Sequence, residues 1–450
     1  MPNRSRVGRA LATAVLLCAG LVAGAAPAGA VGTQGPIETV STAVDSSNAA
    51  GWWSPIERFG NYTFMAYDTD IPGDAPHHNV WVARRNPDGT FLRGCLKTTT
   101  GACSVVADDS GHNDPSLHVD GDGYVHVFAN MHNNAWIYYR STTTLDPTTL
   151  VNSSSTMPDQ GSVFTYPTLS RSPNGDLWLI IRARFGSGND QTWGEGRLYH
   201  WNNATNVWTL ATVFAKQSGA TVYPDQVTTT ADGDVHITYE WCYASAGGLR
   251  HQGSYLRYRP STGTIYTAAG NALSAPATTT TPNVVYRPLA AGETGANDAG
   301  DGTTGIGLQT TKLAMHPTGT GYVPIAVYRY RSTTTGNFKV YRATWGTTSW
   351  SSAQVYGGEY DTTAALSITD DGITKRIYYV KKDTVETNNA WVSESVDAGP
   401  FTERALAPGK AIHRLSVVPT SDGTDQIYLT TANGPNSGPP GQLYYTTLTR

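Results

Sequence analysis

The sequence predicts an all-β fold, a seven-bladed β-propeller, from three observations. Turn-formers and polar-tipped aromatics are abundant, with Gly 47, Pro 25, Tyr 25 and Trp 12 in 450 residues, while charged residues make up only 15%, against roughly 25% in an average soluble domain. Strand-like stretches recur behind turn dipeptides from residue 51 onward. The turn glycines repeat at a nearly constant interval. Hydrophobic residues, at 39%, suffice for a large core, and no helical-bundle periodicity accompanies them.

Arg4, Arg6 and Arg9 precede an apolar run from Ala10 to Ala26, followed by Ala28-Gly29-Ala30. This order of charge, apolar segment and small residues predicts a secretory signal peptide over residues 1–30. The mature protein is then expected to be secreted, without a membrane anchor. Residues 31–50 read as a linker and 51–450 as the catalytic domain. Without those three arginines the 31 basic residues become 28, against 35 acidic ones, and no basic patch invites nucleic acid. An oxidising destination makes the cysteines informative. Cys95 and Cys103 flank a turn at Lys97–Gly101 and predict a hairpin disulfide, which leaves Cys242 as a buried thiol or a metal ligand.

The clearest strands are 123–132, 175–184 and 233–242, each behind Asp122-Gly123, Asn174-Gly175 or Asp232-Gly233, the hairpin signature. Weaker copies begin at Tyr62, Tyr322, Ile373 and Ile427. From Gly123 the spacing runs 52 residues to Gly175, 58 to Gly233, 88 to Gly321, 51 to Gly372 and 51 to Gly423. A period near 50 residues of antiparallel strands is that of a propeller, and the copy at Tyr62 makes seven blades. Eight blades or a β-helix are the alternatives. The long interval predicts an insertion over Ser261–Gly305.

In a propeller the segments leading into the inner strands surround the axis. Three successive units carry reactive side chains there: His112-Asn113-Asp114-Pro115, Tyr166-Pro167 and Tyr223-Pro224-Asp225. Counted from the aligned glycines, Asn130, Arg182 and Glu240 share a register, and His132, Arg184 and Cys242 lie two residues on, on the same face. Arg182 follows Leu-Trp-Leu-Ile-Ile, and a guanidinium buried there demands a carboxylate from the protein or a ligand. His118, His126 and His236 alternate with apolar neighbours and read as structural. No clear Asp/Glu pair for glycoside hydrolysis stands out. The set suits proton abstraction beside a carboxylate: arginine neutralises the acid, histidine or tyrosine takes the proton, and a tyrosine hydroxyl returns one to the leaving oxygen.

The stretches Gly111–Leu117, Asn130–Ser141 and Thr165-Tyr166-Pro167-Thr168 resemble the BNR-4 type propellers, a group that includes seven-bladed ulvan lyases and rhamnose–glucuronate lyases. The resemblance implies a polysaccharide lyase acting on an anionic polysaccharide by β-elimination. It implies His112 as general base or its partner, Tyr166 as general acid, and Arg182 as the carboxylate-neutralising residue with Arg184 as fallback. His132, Tyr223 and Asn113 would contact substrate. Some relatives hold a structural zinc or calcium; His236, Cys242 and His251 are the candidate zinc ligands here, no oxygen-rich loop predicts calcium, and catalysis itself calls for no cofactor. A monomer is expected. A hydrolase releasing rhamnose from glucuronate, or a carbohydrate-binding propeller without catalysis, are the alternatives.

Overall fold

The computed structural model describes residues 32–185, 193–243, 252–282, 284–289, 307–331, 337–356, 365–382, 387, 389–434 and 436–450. Among them there is no α-helix; antiparallel strands and three short 3-10 turns account for the regular structure. No helix is long and apolar enough to cross a membrane.

The strands form four-stranded antiparallel meanders. In the first, Ile56–Phe59, Tyr62–Asp70, His77–Arg85 and Phe91–Cys95 pair in sequence. The second comprises Ser116–Val119, Val125–Phe128, Tyr138–Ser141 and Leu150–Asn152. Phe164–Arg171, Leu177–Phe185, Trp193–Asn202 and Val207–Ala215 make the third. The fourth is Thr221–Thr229, Val235–Cys242, Gln252–Arg259 and Thr264–Tyr266. A fifth begins with Gly307–Thr318 and Gly321–Arg331, a sixth with Leu366–Asp370 and Thr374–Val380. The seventh joins Arg414–Pro419, Asp425–Thr430 and Gly441–Thr449 to Glu38–Val44 from the other end of the chain.

That last pairing corrects the linker expectation for residues 31–50. Glu38–Val44 hydrogen-bonds to the C-terminal strand, and Thr33–Gln34 pairs with Leu448 and Thr449. The alternation in Glu-Thr-Val-Ser-Thr-Ala-Val is that of an outer strand, with Val40 and Val44 buried. The predicted insertion also needs correction: Thr264–Tyr266 completes the fourth meander, and Val285–Arg287 pairs back onto Gln252–Arg259. Ala272–Leu273 pairs with Thr264–Tyr266, and residues 283 and 290–305 lie outside the described residues.

The repeat glycines do the same job in several sheets. The amides of Gly123, Gly175, Gly233 and Gly423 donate to the carbonyls of Asp120, Ser172, Thr230 and Thr420, three residues earlier. All four have φ between 79° and 92°, a conformation glycine enters without a Cβ penalty. The following strand is buried on both faces: all eight residues of Val235–Cys242 are buried. The apolar side chains lie between neighbouring sheets. Phe64 and Val82 meet Leu117 and Val127 between the first and second, and Trp178 and Ile180 meet Val222 and Ile237 between the third and fourth. The first strands touch in succession, from Ile56–Phe59 through each meander to Arg414–Pro419, which contacts Ile56–Phe59 again. As the sequence predicts, Cys95 and Cys103 are disulfide-bonded; Cys242 is buried and takes no part in a disulfide among the described residues.

Candidate active site

A short loop and two bulged strands build the site. The loop after Val105–Ala107 turns tightly, the amides of His112 and Asn113 both donating to Asp109 O. His132 arrives by a different route. The second meander's inner strand ends at Phe128, and Asn130 and Asn133 then adopt φ of 54° and 58°, a left-handed conformation that asparagine tolerates. These two bends carry His132 across to pair with Thr165 of the third meander.

Asp109 joins the two histidines. Its Oδ1 lies 2.7 Å from His112 Nδ1 and its Oδ2 2.5 Å from His132 Nδ1. The rings stack with centroids 3.8 Å apart and planes within 4°. An ionised carboxylate only accepts hydrogen bonds, so both Nδ1 atoms donate and each Nε2 is turned away from Asp109. All three side chains are about one-third exposed, so a substrate can reach them.

Bulges aim the next residues. Between Thr165 and Thr168 the third meander's first strand sets two residues, Tyr166 and Pro167, against one on its partner, Ile181, with Tyr166 at φ 66°. The fourth has the same interruption at Asp225, the fifth at Thr310. Bulges commonly re-aim side chains at active sites. Here Tyr166 stacks on Trp53 at 5.0 Å, faces His112 at 5.7 Å and meets Tyr223 at 5.3 Å. The guanidinium of Arg182 lies 4.5 Å from the Tyr166 ring centre and 4.8 Å from that of Tyr223. Its methylenes run against Gly194, where a Cβ would approach Arg182 Cδ to 2.5 Å. Only glycine admits this side chain without a clash.

Arg182 is 3% exposed and forms no ion pair among the described residues; its Nε has no hydrogen-bond partner. A buried guanidinium without a counter-charge costs several kcal/mol, which an anionic ligand group placed against it would offset. Burial, and secondarily Arg182, lowers the pKa of the neighbouring Arg184, whose Nε donates to Asn133 Oδ1 at 2.9 Å. Burial lowers the His112 pKa as well, with Asp109 opposing and the charges of His132 and Arg182 reinforcing the shift. His112 is therefore neutral at neutral pH. Asp109 is pushed up by burial, but its hydrogen bonds with His112 and His132 win and hold it well below the usual carboxylate range.

The structure thus gathers His112, His132, Tyr166, Tyr223, Arg182 and Arg184. Asn113 departs from the substrate-contact expectation: it is buried, and its Nδ2 donates to Ala107 O, so it braces the loop. The zinc expectation does not fit. His236 and Cys242 lie six residues apart on one strand, about 20 Å, whereas two ligands of one zinc lie about 4 Å apart at most. His236 is engaged with Thr230 Oγ1 and Tyr255 OH, Cys242 packs with Trp53, Tyr166 and Tyr223, and His251 lies outside the described residues. His118 and His126 are structural as expected, facing Glu57 and Asp120.

Sequence reasoning missed Asp109 and the Trp52–Trp53 pair, stacked at 5.4 Å. Their signals were present: Asp109 stands three residues before His112, and two adjacent tryptophans open the first unit. Asp109, His112 and His132 also stand close enough together to hold a metal ion. Asp114 accepts from Ala49 N and Gly111 N, while Asp225 and Glu240 accept from Thr311.

The family model described as BNR repeat-containing family member matches residues 62–357. No curated protein matches the sequence. Among solved structures, polysaccharide lyase Uly1 superposes with a TM-score of 0.62 at 15% identity, covering 93% of this chain and all of that one. A PL25 ulvan lyase bound to -[GlcA(1-4)Rha3S]- gives 0.61 at 15% identity, over 91% and 95%. At such identity the likeness is one of fold.

Proposed function

The chain belongs to the BNR repeat-containing family, BNR_4, and from that premise we propose that it is a secreted polysaccharide lyase cleaving rhamnose–glucuronate linkages by β-elimination. The observation that carries the reading is Arg182, a buried guanidinium without an ion-pair partner among the described residues, beside a neutral histidine and two tyrosines. The fold reading that goes with it is a closed seven-bladed propeller. The succession of first-strand contacts and the pairing of Glu38–Val44 with the C-terminal strand support it. Similarity in fold to a polysaccharide lyase and to a PL25 ulvan lyase supports the substrate class.

In this mechanism the uronate carboxylate sits against Arg182, with Arg184 reinforcing the positive field. Neutralising the carboxylate stabilises the carbanion that develops at C5. His112 Nε2 takes the C5 proton, and Asp109 holds the ring in the required tautomer and stabilises the imidazolium that forms. The C5–H electron pair becomes the C4–C5 double bond, the C4–O4 bond breaks, and the Tyr166 hydroxyl gives O4 its proton. His132 and Tyr223 hold the sugar, and Trp52 offers a partly exposed face for stacking. The absence of a carboxylate pair among the described residues at the site favours elimination over hydrolysis. Incubation with ulvan and other glucuronate polymers tests the proposal through the ultraviolet absorbance of the new double bond. A folded protein that produces no absorbance with any of them rejects it.

A further inference from the structure

The hairpin loop between Asp425–Thr430 and Gly441–Thr449 reaches the Asp109 loop from the far end of the chain. Its base is anchored just behind the N-terminal strand: Gly434 N donates to Ser46 O at 2.6 Å, and Gly438 N to Ser46 Oγ at 2.7 Å. Between these anchors the side chain of Asn436 makes two hydrogen bonds to backbone. Its Oδ1 accepts from Ser110 N and its Nδ2 donates to Asp108 O, each at 3.0 Å. Ser437, at φ 62°, turns its N–H onto Asp108 Oδ2 at 3.0 Å. The other Asp108 oxygen lies 3.0 Å from His78 Nδ1 in the first meander.

These contacts bracket one residue. The Asp108 carbonyl and the Ser110 amide belong to the two peptide groups on either side of Asp109, and peptide groups are planar. Holding both against a single planar side-chain amide restricts φ and ψ of Asp109, the soft dihedrals that aim its Cα–Cβ bond. That carboxylate in turn holds His112 and His132, so Asn436 bears on the imidazoles through Asp109. Asn436 and Ser437 are themselves exposed. Water can take over the hydrogen bonds of an exposed amide at little cost, but it cannot supply the same fixed geometry. The fold should therefore tolerate loss of the amide, while the aim of the carboxylate should not.

We propose that Asn436 is a positioning residue: by clamping the backbone around Asp109 it fixes the tautomer and orientation of His112. Its effect on turnover rests on the lyase reading; its effect on the imidazole does not. Catalytic geometry is tight, and a displacement of about 1 Å costs roughly 100-fold in rate.

Nuclear magnetic resonance of the protein carrying isotope-labelled histidine, paired with steady-state kinetics on a glucuronate polymer, tests the proposal. The ring-nitrogen shifts of His112, identified by their loss in His112→Ala, report its tautomer. The wild type should hold the Nδ1–H form, and Asn436→Ala should gain the Nε2–H form. In the same variant kcat should fall roughly 10- to 100-fold with KM nearly unchanged, circular dichroism serving as the fold control. Asn433→Ala, at another exposed position of the loop, should match the wild type in both measurements. Three outcomes overturn the proposal: the same tautomer balance in Asn436→Ala as in the wild type; a rise in KM alone, which would make Asn436 a substrate contact; or equal damage in Asn433→Ala. If the wild type turns over no uronate polymer, the lyase reading fails, and the tautomer of His112 alone decides the role of Asn436.

Discussion

His112 and His132 lie face to face with ring centroids 3.8 Å apart, each donating Nδ1–H to a different oxygen of Asp109. One carboxylate thereby orients two rings and turns both Nε2 atoms away from itself. Burial makes His112 harder to protonate, while Asp109 counters part of that shift.

This arrangement predicts a pH profile. The base works only when neutral, so activity falls as pH drops through the pKa of His112. Because that pKa is lowered, the acid limb should lie below about 6.5, the ordinary histidine value. Asp109→Asn removes the charge that holds the pKa up, so the limb should move to still lower pH. Turnover should fall on the order of 100-fold as the tautomer is lost. A limb that moves upward in this variant contradicts the assignment.

Arg182 should be intolerant of change. Arg182→Ala is expected to lower kcat/KM by roughly 100- to 1000-fold on a uronate polymer. Gly194→Ala, at a buried position against Arg182, should produce a milder loss by pushing Arg182 off its methylene track. Steady-state kinetics with circular dichroism as a fold control separates the two. Wild-type turnover in Arg182→Ala would move the neutralising role to Arg184.

Tyr166→Phe removes a hydroxyl and keeps the ring that stacks on Trp53 and Arg182. kcat should drop roughly 100-fold with KM nearly unchanged, the pattern of an interaction made only in the transition state. An increase in KM alone would make Tyr166 a binding residue.

The disulfide sits at the edge of the first meander, in the hairpin that leads into Val105–Ala107. Its two cysteines are eight residues apart, and closing so short a loop is worth about 2.5 kcal/mol in the chain-entropy model. Cys95→Ser with Cys103→Ser should lower denaturant stability by about that much and leave kcat unchanged. A loss of turnover in the folded double variant would tie this hairpin to the site.

Local patterns made much of this readable. Asp-Gly and Asn-Gly turns announced the inner strands because left-handed glycines close them, and Arg182 stood out because a guanidinium ends an apolar run. Residues placed by long-range pairing were harder to read. Glu38–Val44 looks like a linker until the C-terminal strand is beside it. The register of His132 with Arg184 and Cys242, counted from glycines, does not carry over, because Asn130 and Asn133 break the second meander's strand and hand His132 to the next sheet. Parity placed His236 and Cys242 on one face but ignored the length of strand between them. Asp109 was overlooked because its second partner, His132, is 23 residues away.

Mass spectrometry of the products from a glucuronate–rhamnose polysaccharide tests the central claim most directly. Elimination predicts a new non-reducing end carrying a 4,5-unsaturated uronate, lighter by one water than the hydrolytic fragment, and its disappearance in Arg182→Ala. A saturated uronate end with oxygen drawn from labelled water would contradict the account.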